Sequence, residues 1–386
     1  MHSAVFERSR DIVYSQQKPR ASHVVRGTEP ILRMQTGLIE LADKSGQPCA
    51  MDDLEYFLSR PQIRKKTPCL ISLSSSGQAA DAEPHSGDLD AAVLLYEHQV
   101  GGHGLRIFAT DDTTGRRTLV CLPHIRSRFA LAACHRLLAQ GAQCVLISFR
   151  HDETCIDAAL AELLHDPGYS CRWASREREI AGYLPFESTL DATLALMGAR
   201  TRNHLRYYRK RAENQMGSVF VADAKISRED FIALNRISSY PVPDEIAAWR
   251  YDSLSGLKSP LLYGMRDRDG RWLSLIGGRH SNGNMEMYWQ MNRDDIPSQS
   301  LSTAMRAFLI EHEVALGTHR MYVEGGTTHS MSHAFVREKV TDLIVLRQSP
   351  VARIIPALVR RLLPPENMLL QVLEDKDLKW NIVKGR

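Results

Sequence analysis

The sequence predicts an α/β protein with mixed sheets of the α+β kind, built from two tandem copies of one unit. Three observations carry this. Residues 259–347 read as β-β-β-α-β-α-β, and the same order recurs over residues 91–174. The chain has 386 residues, more than one hydrophobic core usually serves.

The second copy is the clearer one. Leu261-Leu262-Tyr263-Gly264-Met265 opens a strand, and Asp267-Arg268-Asp269-Gly270 turns it. Trp272 to Ile276 returns, Ser281-Asn282-Gly283 turns again, and Asn284 to Gln290 makes a third strand. Asp-Gly and Asn-Gly pairs between apolar runs signal hairpins, because glycine supplies the positive φ that tight turns need. The period then changes. Leu301, Ala304, Met305, Phe308, Leu309 and Leu316 form one helical face, started by Ser298-Gln299-Ser300 and stopped by Gly317. Met321-Tyr322-Val323 is a short buried strand ending at Glu324-Gly325-Gly326. A helix over 329–338 and a strand over Leu343 to Leu346 complete the unit.

The first copy runs through strands at 92–97, 105–109 and 117–122, a helix from about Ile125 to Gln140, a buried strand at 144–149, a helix at 157–164 and a strand at 171–174. Both copies open with Leu-Leu-Tyr, at 94–96 and 261–263, and both close a helix with glycine before the buried strand, at Gly141 and Gly317. The expected division is an irregular arm over 1–30, a first domain over 31–185 that supports, a second over 186–350 that works, and a helical tail over 351–386. The two helices that open the second domain include a basic one, Arg202 to Arg211, whose charges suit a solvated face or phosphate contact. In the tail, Ile354, Ile355, Leu358, Val359, Leu362 and Leu363 alternate with Arg353, Arg360 and Arg361. Such a helix packs on its own domain, on a second subunit or on a membrane surface.

Composition narrows the function. A hydrophobic fraction of 43% and a charged fraction of 24% suit a soluble globular protein, and a net charge of +4 is too small for a dedicated nucleic-acid binder. The seven cysteines contain no C-x-x-C pair, which favours reduced, buried thiols. With no apolar leader and no run long enough to span a bilayer, the cytoplasm is the expected location.

The element order resembles the GNAT acyltransferase fold. Its tandem arrangement, the segment 202–211 and the span Leu273 to Phe335 are similar to the Fem-like, cellulose-biosynthesis-type acetyltransferase branch common in bacteria, over about residues 90–348. The resemblance implies two GNAT-like domains and transfer of an acyl group from an acyl-CoA-type thioester to an amine, on a small molecule or a cell-envelope precursor, with no metal. A charged tRNA or an acyl carrier protein is the alternative donor, and a non-catalytic binding protein on the same fold is the third reading. It assigns donor contacts to Gln290, Met291 and Asn292 at the end of a strand, to Ser298, Gln299, Ser300, Leu301 and Ser302, and to Arg206. The loop 298–302 departs from the family pattern, since it has no glycine.

Acyl transfer to an amine needs a base for the amine, an acid for the leaving thiolate and tight positioning. Strand alternation puts Met285, Met287 and Trp289 on one face and Asn284, Glu286, Tyr288 and Gln290 on the other. Glu286 and Tyr288 are then candidate base and acid, or members of a solvated polar face. Glu324, at a buried strand end, is a second candidate base or a helix cap. His333 is an acid–base candidate or a surface histidine. With His329 at i, i+4 it also has the spacing of a metal pair, but H-E-x-x-H is absent.

Overall fold

The computed structural model describes residues 21–45, 53–60, 66–74, 89–111, 119–121, 126–150, 169–296, 300–324, 329–363 and 367–384. The predicted helix at 157–164, most of the arm, Ser298 and Gln299 lie outside them.

One mixed sheet runs through the molecule. Numbered in chain order, its strands lie side by side as β1 (Ala21–Arg26), β2 (Lys66–Ser74), β3 (Leu89–Val100), β4 (His103–Ala109), β6 (Cys144–Arg150), β13 (Val336–Arg347), β7 (Cys171–Pro185), β12 (Arg320–Val323), β11 (Asn284–Asn292), β10 (Trp272–Ser281), β9 (Pro260–Arg266) and β8 (Val219–Val221). β5 (Leu119–Cys121) pairs with β3, and β14 (Asn381–Val383) with β7. The expected mixed α/β fold is present.

The last strands of the two copies are exchanged. β7 ends the first copy yet lies between β13 and β12, and β13 ends the second copy yet lies between β6 and β7. β7 and β13 pair antiparallel from Val336↔Tyr183 to Arg347↔Cys171. Asp342, fully buried on β13, fastens the join: it accepts hydrogen bonds from Ser148 Oγ of β6 at 2.7 Å and from Arg176 and Arg178 of β7 at 3.1 and 2.9 Å.

The first copy starts earlier than the sequence pattern implies. Its three-stranded meander is β2, β3 and β4, and the predicted strand over 117–122 reduces to β5, which shares one edge of β3 with β4. Leu94-Leu95-Tyr96 therefore lies on the middle strand of its meander, whereas Leu261-Leu262-Tyr263 lies on the first strand of the other. The shared tripeptide is not an equivalent position.

Helices cover both faces. α1 (Thr28–Leu32), α2 (Gln35–Ser45) and α3 (Leu54–Leu58) precede β2, and α4 (Arg126–Ala139) covers the first copy. α5 (Leu190–Ala195) and α6 (Ala199–Met216) pack with α9 (Leu301–Ala315) on one face of the second copy. α7 (Arg228–Arg236) and α8 (Asp244–Leu254) cover its other face, where Tyr56 and Phe57 of α3 join Trp289, Met291 and Phe231 in one apolar cluster. α10 (Pro350–Leu362) and α11 (Met368–Glu374) form the tail. α10 buries Ala352, Ile355 and Val359 and leaves Val351, Ile354 and Leu362 exposed. Among the described residues no helix is long and apolar enough to cross a membrane.

The predicted helix over 329–338 is a five-residue 3-10 turn, Ser330–Ala334, followed directly by β13. Pairing with β7 begins at Val336, so the sheet claims residues whose local pattern suits a helix. Cys69, Cys121, Cys134, Cys144 and Cys171 are free and buried, and burial pushes the Cys171 thiol up to about 11 and that of Cys144 to about 12. Both stay protonated at neutral pH, the unreactive form.

Candidate active site

β11 and β12 run parallel only from Asn284↔Arg320 to Met287↔Val323, with the Glu324 amide donating to the Met287 carbonyl at 2.9 Å as the last link. β11 then continues to Asn292 with β10 as its strand partner. From Tyr288 to Asn292, β11 has no strand partner on its β12 side among the described residues, and a wedge opens there.

A β-bulge stands at the apex. Gly277 of β10 faces Trp289 and Gly278 faces Met287, so Tyr288 is an extra residue on β11. Both glycines are required: a Cβ on Gly277 would enter the Trp289 ring, and one on Gly278 would collide with the Glu286 carbonyl. The bulge overturns the simple alternation expected of this strand. Met285 and Met287 pack toward α6 and α9, but Trp289 and Met291 pack toward α7 and α8. Gln290 is turned to α9 instead. An unbroken period of two cannot anticipate this, because one inserted residue moves every later side chain to the other face.

On the side of α3, the structure joins Glu286 to Tyr288. The Tyr288 hydroxyl donates to Glu286 Oε2 at 3.2 Å, and the guanidinium of Arg279 donates to Oε1 at 2.9 Å. Arg279, itself fully buried, also pairs with Asp53, whose other oxygen accepts the Lys258 amide at 3.0 Å. Glu286 is thus ion-paired and buried rather than open to an amine. Tyr288 lies 5.0 Å from the Tyr56 ring, stacked, and 5.6 Å from Phe57. Glu324 pairs with Arg60, whose guanidinium sits 4.5 Å from the Phe57 centroid and 5.6 Å from that of Tyr56.

On the side of α9, polar groups line the start of the helix. Gln290 Nε2 donates to Asn292 Oδ1 at 3.0 Å, and Gln290 Oε1 accepts from Arg306 Nε at 2.9 Å. Ser274 Oγ donates to Asn292 Oδ1 at 2.7 Å. Burial lowers Arg306 to about 10, which still leaves it charged at neutral pH. Ser300, the N-cap, turns its hydroxyl to Thr303 Oγ1 at 2.7 Å, and Thr303 lies 3.2 Å from His329 Nε2. His329 Nδ1 accepts the Met331 amide at 3.2 Å, so Nε2 carries the proton and donates to Thr303. Burial, with the charge of Arg306, pushes His329 down to about 4. We expect nitrogen NMR to find this ring neutral and Nε2-protonated between pH 7 and pH 5. Its folded pKa lies below the ordinary 6.5, so its contribution to stability is present above pH 6.5 and is lost as pH falls toward 4. A charged ring at pH 6 would contradict this.

Other candidates fall elsewhere. Leu301 is buried in the core under α9, and Met291 is buried beneath α7 and α8. Ser302 meets the wedge through its carbonyl, 3.4 Å from Gln290. Arg206 is exposed and pairs with Asp191 at 2.9 Å. Arg209 of the same helix lies over Phe308 and pairs with Glu213 and Glu311. His333 is exposed, and on a 3-10 turn the i, i+4 spacing does not stack it over His329. Among the described residues no group of three or more His, Cys, Asp or Glu is placed to hold a metal ion.

Sequence reasoning missed Asp53, Arg60, Arg279, Thr303 and Arg306. Two left a signal: Arg306 interrupts an apolar helix face, and Arg279 follows a Gly-Gly pair inside a strand, the mark of a bulge.

No known family description and no curated protein matches the sequence. Solved structures are similar in fold. The chain is similar to L-PGS from Bacillus licheniformis at 11% identity and a TM-score of 0.47, over 84% of this chain and 96% of that one. It is similar to a tandem GNAT protein from the clavulanic acid biosynthesis pathway at 12% identity and a TM-score of 0.47, over 85% and 99%. FemX gives 12% identity and a TM-score of 0.46, over 75% and 95%. No functional residue is carried over from them.

Proposed function

We propose that this chain is an acyltransferase that moves an acyl group from an acyl-CoA-type thioester to an amine. The observation that carries the reading is the wedge: a splayed, bulged strand on one side and the N-terminus of a fifteen-residue helix backed by a half-buried arginine on the other. Such a helix end favours an anion such as a pyrophosphate, and Arg306 adds a full charge. A thioester laid along Tyr288 to Asn292 has its phosphates at Ser300, Ser302 and Thr303 and its acyl carbon near the bulge.

In the reaction the amine nitrogen attacks the thioester carbon, the C–N bond forms and the C–S bond breaks. Glu324, held as a carboxylate by Arg60, takes the proton from the amine. Tyr288 gives one to the departing thiolate. Glu286, neutralised by Arg279, orients the Tyr288 hydroxyl and is a positioning residue.

Calorimetry with acetyl-CoA and a longer acyl-CoA tests this. Binding is expected, and Arg306→Gln is expected to weaken it about tenfold or more, as the loss of a charge-assisted hydrogen bond does. If neither thioester binds while a charged tRNA or an acyl carrier protein does, the acyl-CoA reading fails.

A further inference from the structure

A second concave site lies at the other end of β7 from the wedge. A cavity of about 520 Å³ opens where β13 gives way to α10. Its described lining includes Ser170, Arg172, Arg347, Ser349 and Arg353 and contains no Asp or Glu. The stretch of β7 from Arg172 to Tyr183, which pairs with Tyr322 beside the wedge, is roughly 35 Å long. The two sites are therefore separate.

The three arginines come from three elements. Arg172 of β7 lies 4.6 Å from the Trp380 ring centroid. Arg347, at the end of β13, donates to the Leu138 carbonyl at 3.2 Å and lies 5.4 Å from the Tyr169 centroid. Arg353 stands exposed in the first turn of α10. None of the three pairs with a carboxylate among the described residues. Ring faces and a carbonyl hold Arg172 and Arg347 in place without neutralising them. The rim is fixed as well. The Gln348 amide donates to the Ser170 carbonyl at 2.7 Å, and Ser349 Oγ donates to Gln143 Oε1 at 2.6 Å. Ser349 Oγ also accepts the Ala352 amide at 3.0 Å, so the arginines rather than the helix end supply the attraction. Like charges gathered in one cavity repel, and a bound anion relieves that repulsion.

We infer that this cavity binds a phosphate group, at a site distinct from the wedge. A phosphate monoester brings close to two charges and three acceptor oxygens, which suits three guanidinium groups better than a carboxylate does. The phosphate comes from a soluble ester or from a phospholipid headgroup. Val351 and Ile354, exposed beside Arg353 on α10, favour the headgroup.

Two probes test this on the full chain. Glycerol 3-phosphate is titrated by calorimetry, with glycerol as the uncharged control. Phosphatidylcholine vesicles carrying phosphatidic acid are compared by flotation with vesicles carrying oleate, an anion without a phosphate. Arg353→Gln is expected to weaken binding about tenfold or more, as the loss of one charge-assisted hydrogen bond does, and Arg172→Gln with Arg353→Gln to abolish it. Arg306→Gln, which alters the wedge, is expected to leave binding at the cavity as it was. Arg353 is exposed and has no partner among the described residues, so Arg353→Gln should unfold at the wild-type temperature. That separates a lost contact from lost folding. Retention on phosphatidic acid vesicles assigns a lipid headgroup, and binding of glycerol 3-phosphate without such retention assigns a soluble ester. If neither probe binds, or if binding survives in the double variant, the cavity is not a phosphate site. The same holds if oleate vesicles retain the chain equally well and glycerol 3-phosphate fails to bind.

Discussion

Arg279→Met is expected to lower the free energy of unfolding by about 3–5 kcal/mol in a urea titration, because it leaves buried carboxylates without their counter-charge. Arg279 is fully buried between Asp53 and Glu286, which are themselves buried. Those residues belong to three separate parts of the chain: the approach to α3, strand β10 and strand β11. The cause is checked by neutralising the whole group. Asp53→Asn with Arg279→Met and Glu286→Gln is expected to recover much of the loss, since nothing charged then remains buried there. A triple variant no more stable than Arg279→Met would mean that packing, rather than charge, is what the arginine supplies.

Tyr288→Phe should lower kcat for acyl transfer by about a hundredfold, the lower end of what a general acid contributes. The phenyl ring keeps the stacking on Tyr56 and Phe57, so the substitution isolates the hydroxyl. KM for the thioester should stay near the wild-type value, since the hydroxyl is assigned to the departing sulfur rather than to the bound donor. An unchanged kcat would reduce Tyr288 to a packing residue and leave thiolate departure to solvent. Steady-state release of free CoA thiol measures both constants.

What could be read from the sequence was local. The hairpin turns at Asp269-Gly270 and Asn282-Gly283 and the apolar stripe of α9 depend on residues close together in the chain, and all are found where expected. Glu324 at its strand end and Ser300 at the start of α9 were legible for the same reason. The bulge at Tyr288 was not, since it depends on Gly277 and Gly278 across the hairpin. Nor was the ion cluster, because nothing near Glu286 in sequence names Asp53 as a member. The 3-10 turn before β13 was misread because β7, far away in the chain, captures the residues from Val336 onward. The first meander was displaced by one strand because β3 is apolar without a break from Ala91 to Tyr96 and offers no period to align.

The crossing of β7 and β13 bears on how such a chain could arise. A single unit ending in a strand that leaves its own sheet has an open slot beside its fourth strand and a loose fifth strand to offer. Two identical units satisfy one another by trading those strands, as a swapped homodimer does. Joining the carboxyl end of one to the amino end of the other makes the exchange permanent and frees one half to lose its chemistry. Severed after β7, neither piece can complete its sheet: β6 would face water where β13 now lies, and Asp342 would be parted from both Ser148 and the two arginines that neutralise it.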